Sequence, residues 1–392
     1  MATPTPLLMI PGPIELSPGV LAAASAPPPG HTSPRLIEAF GRSIERMREV
    51  WRSGPSGQPF ILTGSGTLAM EVAAGNLVEA LDKVLVVSTG YFSERMTAIL
   101  RRNAVDVTEV TAPVGEVPAI GKIREILARD RFKALFATHV DTSTGVRVNP
   151  EPLCRLAREA GVLSVFDGVC ATAGERFDMA DWGADVYFTA SQKAIGLPPG
   201  LALMVVSERA LDARQDLILK PPLYLDWETW LPIHRAYEER KPSYFATPAT
   251  SLVMALETGL GEILENGLEA RLETQGRAAA ALRAAWRSLG LRFVPKTEEV
   301  TGNTLSVLLF PEGVDASLLP RIAARGVTVA GGLHPAVKAT SFRLGHMGYT
   351  VTRPDYLRRA VEAVAGALQE SGARVDLEAA VAALESGLAV PA

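Results

Sequence analysis

The chain has 392 residues, a length that suggests two domains or one large domain with an appendage. Its 47% hydrophobic and 21% charged content is typical of folded globular proteins. Because 39 basic residues face 43 acidic ones, the net charge is −4, which excludes a strongly basic nucleic-acid binder but leaves a local anion site open. The two cysteines, Cys154 and Cys170, exclude a disulfide scaffold and a four-cysteine zinc site.

Metal and membrane sites find little support in the sequence. Five histidines without an H-E-x-x-H pattern leave little material for a metal centre. No apolar run approaches the roughly 18 residues that a membrane-spanning helix needs. The N-terminus lacks the charged region of a signal peptide. We therefore expect a soluble cytoplasmic protein with neither nucleic-acid nor membrane partners.

Residues 1–30 are rich in proline, with Pro11-Gly12-Pro13 followed by Pro27-Pro28-Pro29-Gly30. Proline removes a backbone donor and restricts the residue before it, so this segment is predicted to be an extended arm without a helix. Ser33-Pro34 then has the form of a helix N-cap followed by proline at the first helical position. Apolar residues at helical spacing follow it up to Trp51.

Between residues 60 and 207, short apolar runs alternate with helical patterns. The runs are apolar on consecutive positions, as parallel strands buried on both faces require. The predicted strands cover residues 60–62, 84–88, 134–138, 162–167, 185–190 and 201–206, and the predicted helices cover 67–80, 91–102, 120–129 and 150–160. This alternation predicts an α/β domain with a mainly parallel sheet.

After Pro248 the pattern changes to that of a smaller α+β domain. Two long helical patterns are followed by short strands, a helix and two closing helices. The predicted helices cover residues 249–265, 268–289 and 316–324, and the strand-like runs cover 304–310, 327–330 and 340–344. We expect three parts: an arm (1–22), a large α/β domain (23–262) and a small C-terminal domain (263–392).

Two features near the ends of predicted strands suggest anion and cation binding. Thr63-Gly64-Ser65-Gly66-Thr67 combines glycines, hydroxyls and a helix start, which is a suitable cradle for phosphate, although taken alone an ordinary turn is the better interpretation. Asp167 closes an apolar strand, where it could bind a cationic ring nitrogen, bind a metal, or cap the next turn.

Two basic residues complete the set. Lys193 follows a buried strand in an apolar setting, where desolvation would lower the pKa of its amine and make it a nucleophile, but a solvated surface lysine is the common alternative. Arg343 lies in the apolar run Ser341-Phe342-Arg343-Leu344, where its guanidinium could hold a substrate carboxylate or form a structural salt bridge. Together with the cradle and Asp167, these are the parts that bind pyridoxal phosphate and an amino acid.

The chain resembles, nearly end to end, a class V (subgroup IV) aminotransferase of fold type I, close to the alanine–glyoxylate and serine–glyoxylate enzymes. The motifs that carry the resemblance are Pro11-Gly12-Pro13, His31-Thr32-Ser33-Pro34, Thr63-Gly64-Ser65-Gly66-Thr67, Thr142-Ser143-Thr144-Gly145-Val146, Phe166-Asp167-Gly168-Val169, Ser191-Gln192-Lys193-Ala194, Tyr244-Phe245-Ala246-Thr247 and Phe342-Arg343-Leu344-Gly345. Their order along the whole chain makes the resemblance specific.

The resemblance implies a role for each matching residue. Lys193 would form the Schiff base with pyridoxal phosphate and move the substrate proton, and Asp167 would keep the pyridine nitrogen protonated. Arg343 would hold the substrate carboxylate, with Gly12 nearby. The remaining implied cofactor contacts are Ser65, Gly66, Thr67 and Gln192 at the phosphate, Phe92 and Val169 at the ring faces, Thr142 at the ring hydroxyl, and Tyr244 and Thr247 reaching the phosphate of the neighbouring subunit in a homodimer.

The expected reaction transfers the amino group of alanine or serine to glyoxylate or pyruvate. Phe92 stands where related enzymes often carry tryptophan, and Cys170 is interpreted as a buried small residue. Transamination of 2-aminoethylphosphonate with pyruvate stays open as an alternative, although Arg343 suits an α-carboxylate better. A cysteine desulfurase or lyase, and a cofactor-binding module without catalysis, are weaker alternatives.

Overall fold

The computed structural model describes residues 5–389 of the chain. The strands are β1 (Leu7–Leu8), β2 (Gln58–Thr63), β3 (Lys83–Ser88), β4 (Asp106–Thr111), β5 (Ala134–Thr138), β6 (Val140–Asp141), β7 (Val146–Arg147), β8 (Leu163–Asp167), β9 (Val186–Ala190), β10 (Leu201–Val206), β11 (Arg292–Phe293), β12 (Leu305–Leu309), β13 (Val327–Thr328), β14 (Ala330–Gly331) and β15 (Ser341–Gly345). The α-helices are α1 (Pro18–Ser25), α2 (Pro34–Trp51), α3 (Gly66–Leu77), α4 (Tyr91–Arg102), α5 (Ile120–Arg129), α6 (Pro150–Glu159), α7 (Met179–Trp182), α8 (Glu208–Gln215), α9 (Trp227–Glu238), α10 (Thr250–Leu264), α11 (Leu268–Ser288), α12 (Leu318–Ala324), α13 (Pro354–Glu370) and α14 (Leu377–Leu388). Two 3₁₀ helices cover Leu223–Leu225 and Gly348–Thr352.

A seven-stranded sheet forms the centre of the larger part of the molecule, in the order β2-β10-β9-β8-β5-β3-β4. Only β10 runs antiparallel to its neighbours, so the predicted mainly parallel sheet is confirmed. All six strands predicted between residues 60 and 207 are present. The edge strand β4 was not predicted, because it is only partly buried and carries no continuous apolar run.

The prediction of an extended arm without a helix is wrong for α1. Pro18 occupies the first turn, where its missing N–H has no helical partner to lose, and the Ser17 hydroxyl accepts a hydrogen bond from the Val20 N–H at 3.1 Å. Upstream of that helix, β1 pairs in parallel with β13, so Leu7 lies opposite Val327. Residues 1–4 of the arm lie outside the described residues.

The C-terminal part of the chain contains a second sheet, which is antiparallel and has four strands in the order β11-β12-β15-β14. The single strand predicted at residues 327–330 is wrong: β13 pairs with the arm, whereas β14 pairs with β15, so the segment changes sheets within two residues. The helices α11 and α13 share one hydrophobic cluster with this sheet, and α14 packs on these two helices. Leu7 and Met9 of the arm are buried in the same cluster as Trp286 and Phe342.

The boundaries of the three expected parts stay a prediction. Among residues 5–389, no helix is long and apolar enough to cross a bilayer.

Candidate active site

A cavity of about 200 Å³ lies at the carboxyl ends of the parallel strands, where open α/β sheets bind their ligands. Its lining gathers most of the residues singled out from the sequence. These are Ser65, Gly66, Thr67, Phe92, Thr142, Asp167, Val169, Gln192 and Lys193. They lie at the carboxyl ends of strands of the central sheet and in the loops and helix starts that follow those strands, so residues distant in sequence meet at one end of the sheet.

The predicted phosphate cradle lies at the N-terminus of α3. Ser65 is the N-cap residue, and its hydroxyl accepts a hydrogen bond from the Leu68 N–H at 3.4 Å. A Cβ atom on Gly66 would lie 3.0 Å from Val169 Cγ2, so glycine keeps this turn close to the cavity wall. The Gln192 side-chain amide lines the same cavity, where its NH₂ group can donate a hydrogen bond to an anion. Helix start, glycine and amide donor together fit an anion.

Asp167 is the last residue of β8 and is 5% exposed. Its Oδ1 accepts a hydrogen bond from the Val169 N–H at 2.9 Å. Burial raises the pKa of the Asp167 carboxyl to about 7, because the charged form loses its hydration; that backbone bond and the charges of Lys193 and Arg95 work in the opposite direction. No cationic side chain forms an ion pair with it within residues 5–389. A hydrogen-bond donor placed in the cavity, such as a protonated ring nitrogen, would provide the carboxylate of Asp167 with a charged partner.

Lys193 follows β9 on a turn fixed by Ser191. The Ser191 hydroxyl donates to the Pro198 carbonyl at 2.7 Å and accepts from the Leu201 N–H at 3.1 Å. Lys193 Nζ donates to the carbonyl of Pro11 in the arm. Burial lowers the pKa of the Lys193 ammonium, which favours the neutral, nucleophilic amine. Because Lys193 lines the cavity and its Nζ contacts the arm, the surface-lysine interpretation is wrong.

Arg343 is held by backbone carbonyls rather than by an acid. Its Nε donates to the Gly331 carbonyl at 2.8 Å, and its Nη1 approaches the Thr142 carbonyl at 3.4 Å. Within the described chain no carboxylate pairs with it, so the salt-bridge alternative fails and the guanidinium keeps donors for a ligand. Gly12 lies beside Lys193: a Cβ at Gly12 would be 2.6 Å from Lys193 Cδ.

Tyr244 and Thr247 do not line this cavity. Tyr244 is 60% exposed, and its hydroxyl lies 3.4 Å from the Thr247 hydroxyl. The predicted role of this pair in the site of a neighbouring subunit stays a prediction.

Asp141 is a buried residue that sequence reasoning missed, although it lies directly before Thr142. Its Oδ2 accepts hydrogen bonds from the Phe92 N–H at 3.0 Å and the Ser93 N–H at 3.4 Å. Its Oδ1 accepts from the Ser143 N–H at 2.9 Å and the Ser143 hydroxyl at 2.6 Å. Asp141 thus caps α4, whose own N-cap residue, Gly90, has no side chain to do so. The sequence did contain one signal for such a cap: Gly90, at the start of an amphipathic helix, cannot cap it with a side chain, so the capping group has to come from elsewhere in the chain.

Arg95 also lines the cavity and was not predicted. It lies one turn after Phe92 on α4, and its Nη1 donates to the Thr67 hydroxyl of the cradle at 3.1 Å. No pattern in the local sequence distinguishes it from the exposed arginines at the end of the same helix.

Cys170 lies in the cavity wall, 2% exposed, with Sγ 3.5 Å from the Thr304 hydroxyl. Burial raises the pKa of the Cys170 thiol to about 11, so it is present as the neutral thiol. This agrees with a buried small residue and gives no support to a reactive cysteine.

The cavity fits pyridoxal phosphate by its donor set. The Ser65–Thr67 turn and Gln192 can hold a phosphate, and Asp167 lacks a partner that a protonated pyridine nitrogen would provide. A partly desolvated lysine amine lies in the same wall, where the cofactor aldehyde requires a nucleophile.

Comparisons with known proteins agree with this geometry. The "Aminotransferase class-V" family model matches residues 34–352. The alanine–glyoxylate aminotransferase 1 of Saccharomyces cerevisiae is 35% identical over 380 residues, which cover 92% of this chain and 97% of the relative. The L-aspartate–glyoxylate aminotransferase of Paracoccus denitrificans is 31% identical, over 87% of this chain and 86% of its own.

Solved structures show the same fold. The crystal structure of an alanine–glyoxylate aminotransferase from Nostoc superposes with a TM-score of 0.87 at 29% identity, over 94% of this chain and 96% of that one. Since the family model spans most of the sequence and a relative aligns along nearly all of it, the chain belongs to the class V aminotransferases and is a pyridoxal phosphate-dependent transaminase of fold type I.

Proposed function

We propose that this transaminase takes the amino group of alanine or serine and passes it to glyoxylate or pyruvate. The observation that carries the proposal is the position of Arg343, which reaches Thr142 in the wall of the Lys193 cavity and has no acidic partner in the described chain. The remaining donors of Arg343 provide one bidentate carboxylate site, which suits an amino acid whose side chain is small and uncharged. The names of the yeast and Nostoc proteins support a glyoxylate-type reaction.

Lys193 provides the amine that attaches the cofactor and the base that moves the substrate proton. When bound, pyridoxal phosphate supplies an aldehyde for covalent attachment and a ring that withdraws electrons from the substrate α-carbon. Because burial lowers the pKa of Lys193, its amine is available for both tasks at a lower pH than that of a solvated lysine. In the cofactor-free chain the Pro11 carbonyl accepts a hydrogen bond from Nζ.

Asp167 stabilises positive charge at the ring nitrogen. The carboxylate is buried at the end of a rigid strand, so its interaction with a protonated nitrogen is little screened by water. Phe92 and Val169 would enclose the two faces of the ring, and Thr142 would contact the hydroxyl edge. Ser65, Gly66, Thr67 and Gln192 would hold the phosphate.

We propose a homodimer with shared sites, in which Tyr244 and Thr247 reach the cofactor phosphate of the neighbouring subunit. Both lie outside the cavity of their own subunit, and Tyr244 exposes most of its side chain. Mixing Lys193→Ala with Thr247→Ala subunits would restore part of the activity if each site takes Thr247 from its neighbour. A fully active monomer in solution would contradict this arrangement.

The substrate assignment is tested by half-reactions. Single amino acids are added to the enzyme without an acceptor, and amination of the cofactor is followed by absorbance. The aminated enzyme is then returned with glyoxylate, pyruvate, oxaloacetate or 2-oxoglutarate in turn. Fast amination by alanine or serine, with fast return by glyoxylate, supports the proposal.

Other outcomes identify other substrates. Rapid amination by aspartate would point to the donor named for the Paracoccus relative, and rapid amination by 2-aminoethylphosphonate would point to a phosphonate site. Either result would refute alanine or serine as the preferred donor while leaving the transaminase activity intact.

A further inference from the structure

Two cationic side chains, Lys193 and Arg95, line the cofactor cavity. Lys193 is the attachment amine, so its charge is not available for another partner. Arg95 forms no ion pair with an acidic side chain within residues 5–389. Its one side-chain hydrogen bond there is the 3.1 Å contact from Nη1 to Thr67 Oγ1. Arg95 is half-buried, and its single hydrogen bond to a hydroxyl leaves most of its N–H donors free.

That hydroxyl places Arg95 at the phosphate end of the cavity. Thr67 is the second residue of α3, directly after Gly66 and the Ser65 cap. The N–H groups and dipole of a helix start favour an anion, but they are neutral donors, whereas a phosphate at neutral pH carries about −1.5 to −2 charges. The predicted contacts at Ser65, Gly66, Thr67 and Gln192 therefore leave the charge of the phosphate uncompensated.

The position of Arg95 is fixed by aromatic rings. Its guanidinium carbon lies 4.9 Å from the ring centroid of Phe92 and 5.1 Å from that of Tyr91. Both rings are on the first turn of α4, which Asp141 anchors by capping the Phe92 N–H. Such stacking holds a guanidinium in one orientation, so little side-chain entropy is lost when an anion binds.

We propose that Arg95 is a cofactor-binding residue that supplies the positive charge facing the phosphate of pyridoxal phosphate. The inference rests on the proposed placement of the phosphate at Ser65–Thr67. Arg343, by contrast, is tied to Gly331 and Thr142 from another sheet, so the two arginines serve different anions: Arg95 the cofactor phosphate and Arg343 the substrate carboxylate.

The test compares two aldehydes that differ only in the phosphate. Full-length protein is freed of cofactor and titrated with pyridoxal phosphate and with unphosphorylated pyridoxal, and both equilibrium dissociation constants are measured for wild type, Arg95→Gln and Arg95→Lys. We expect Arg95→Gln to weaken pyridoxal phosphate binding by about 10- to 100-fold. We expect pyridoxal binding to change by less than about threefold, and Arg95→Lys to fall between wild type and Arg95→Gln.

Arg102→Gln is the matched control, since Arg102 is exposed on the same helix and lines no part of this cavity. Equal loss of both aldehydes in Arg95→Gln would overturn the proposal, because it would assign Arg95 to packing against Phe92. Unchanged binding of both, with poorer reaction of aspartate, would also overturn it and assign Arg95 to a distal substrate carboxylate.

Thr67→Val separates this inference from the placement of the phosphate. If Thr67→Val selectively weakens pyridoxal phosphate while Arg95→Gln does not, the cradle is correct and the role of Arg95 is wrong. If neither variant discriminates between the two aldehydes, the phosphate does not bind at Ser65–Thr67, and both assignments fail.

Discussion

Replacement of Asp141 by asparagine tests whether one buried carboxylate holds two walls of the active site together. The two carboxylate oxygens of Asp141 accept hydrogen bonds from Phe92 and Ser93 on one side and from Ser143 on the other. An asparagine keeps one oxygen and turns an NH₂ group toward the remaining donors. Whichever way the amide faces, at least one backbone N–H loses its acceptor in the protein interior.

The size of the effect follows from those bonds. A hydrogen bond to a charged acceptor contributes about 1.5–3 kcal/mol, so losing one such bond and weakening another costs about 2–4 kcal/mol of unfolding free energy. For the large domain expected at residues 23–262, a loss of this size should lower the melting temperature by roughly 5–10 °C. Because Phe92 and Thr142 both line the cavity, cofactor affinity should fall as well.

The measurement is thermal unfolding of wild type and Asp141→Asn, with and without cofactor, by circular dichroism. Asp106→Asn is the control, since Asp106 is exposed at the start of β4 and should change the melting temperature little. A variant that melts within about 1 °C of wild type would refute the reasoning, because the α4 cap would then not depend on the charged oxygen.

Three further changes have expected outcomes. Burial raises the Asp167 pKa to about 7 from its ordinary 3.8, so between these pH values the folded cofactor-free protein holds a proton that the unfolded chain releases. The free energy of unfolding therefore falls as pH rises from about 4 to 7. Asp167→Asn should raise the melting temperature of the cofactor-free protein at pH 8 but not at pH 4, and it should lower kcat of the holoenzyme. An equal melting temperature at pH 8 would contradict this. Arg343→Ala should lower kcat/KM for the amino donor by about a hundredfold or more in steady-state assays, and near-normal values would remove Arg343 from the substrate site. Gly12→Ala introduces a Cβ 2.6 Å from Lys193 Cδ at a backbone φ of +100°, so the rate of cofactor attachment, measured by absorbance, should fall. Attachment at the wild-type rate would show that the arm moves enough to accommodate the added methyl group.

The central sheet could be predicted from sequence because its strands are apolar on consecutive positions. The elements that were not predicted lack such local patterns. The edge strand β4 has a largely polar, partly exposed face. The helix α9 carries Pro232 in its interior, which normally indicates a helix end. The segment at 327–330 is divided between two partners, which no local pattern can show.

The candidate site was predictable where a residue follows a buried strand. Asp167 and Lys193 are such residues, since the end of a parallel strand fixes where the next side chain lies. Arg95 and Asp141 were not predictable in this way, because each acts through a partner far along the chain. Arg95 contacts Thr67, 28 residues away, and Asp141 caps Phe92, 49 residues away. Only the folded sheet brings these pairs together.

The pairing of β1 with β13 joins the N-terminal arm to the C-terminal part of the chain. Leu7 and Met9 donate backbone hydrogen bonds to Gly326 and Thr328 at 2.9 and 2.8 Å, and Met9 accepts one from Gly345 at 2.8 Å, two residues beyond Arg343. Four residues after Leu7, the Pro11 carbonyl accepts from Lys193 Nζ. These backbone bonds tie the residues just before Pro11 to the same sheet that carries Arg343. A displacement of that sheet would therefore move the carbonyl that accepts from Lys193 and the guanidinium of Arg343 together.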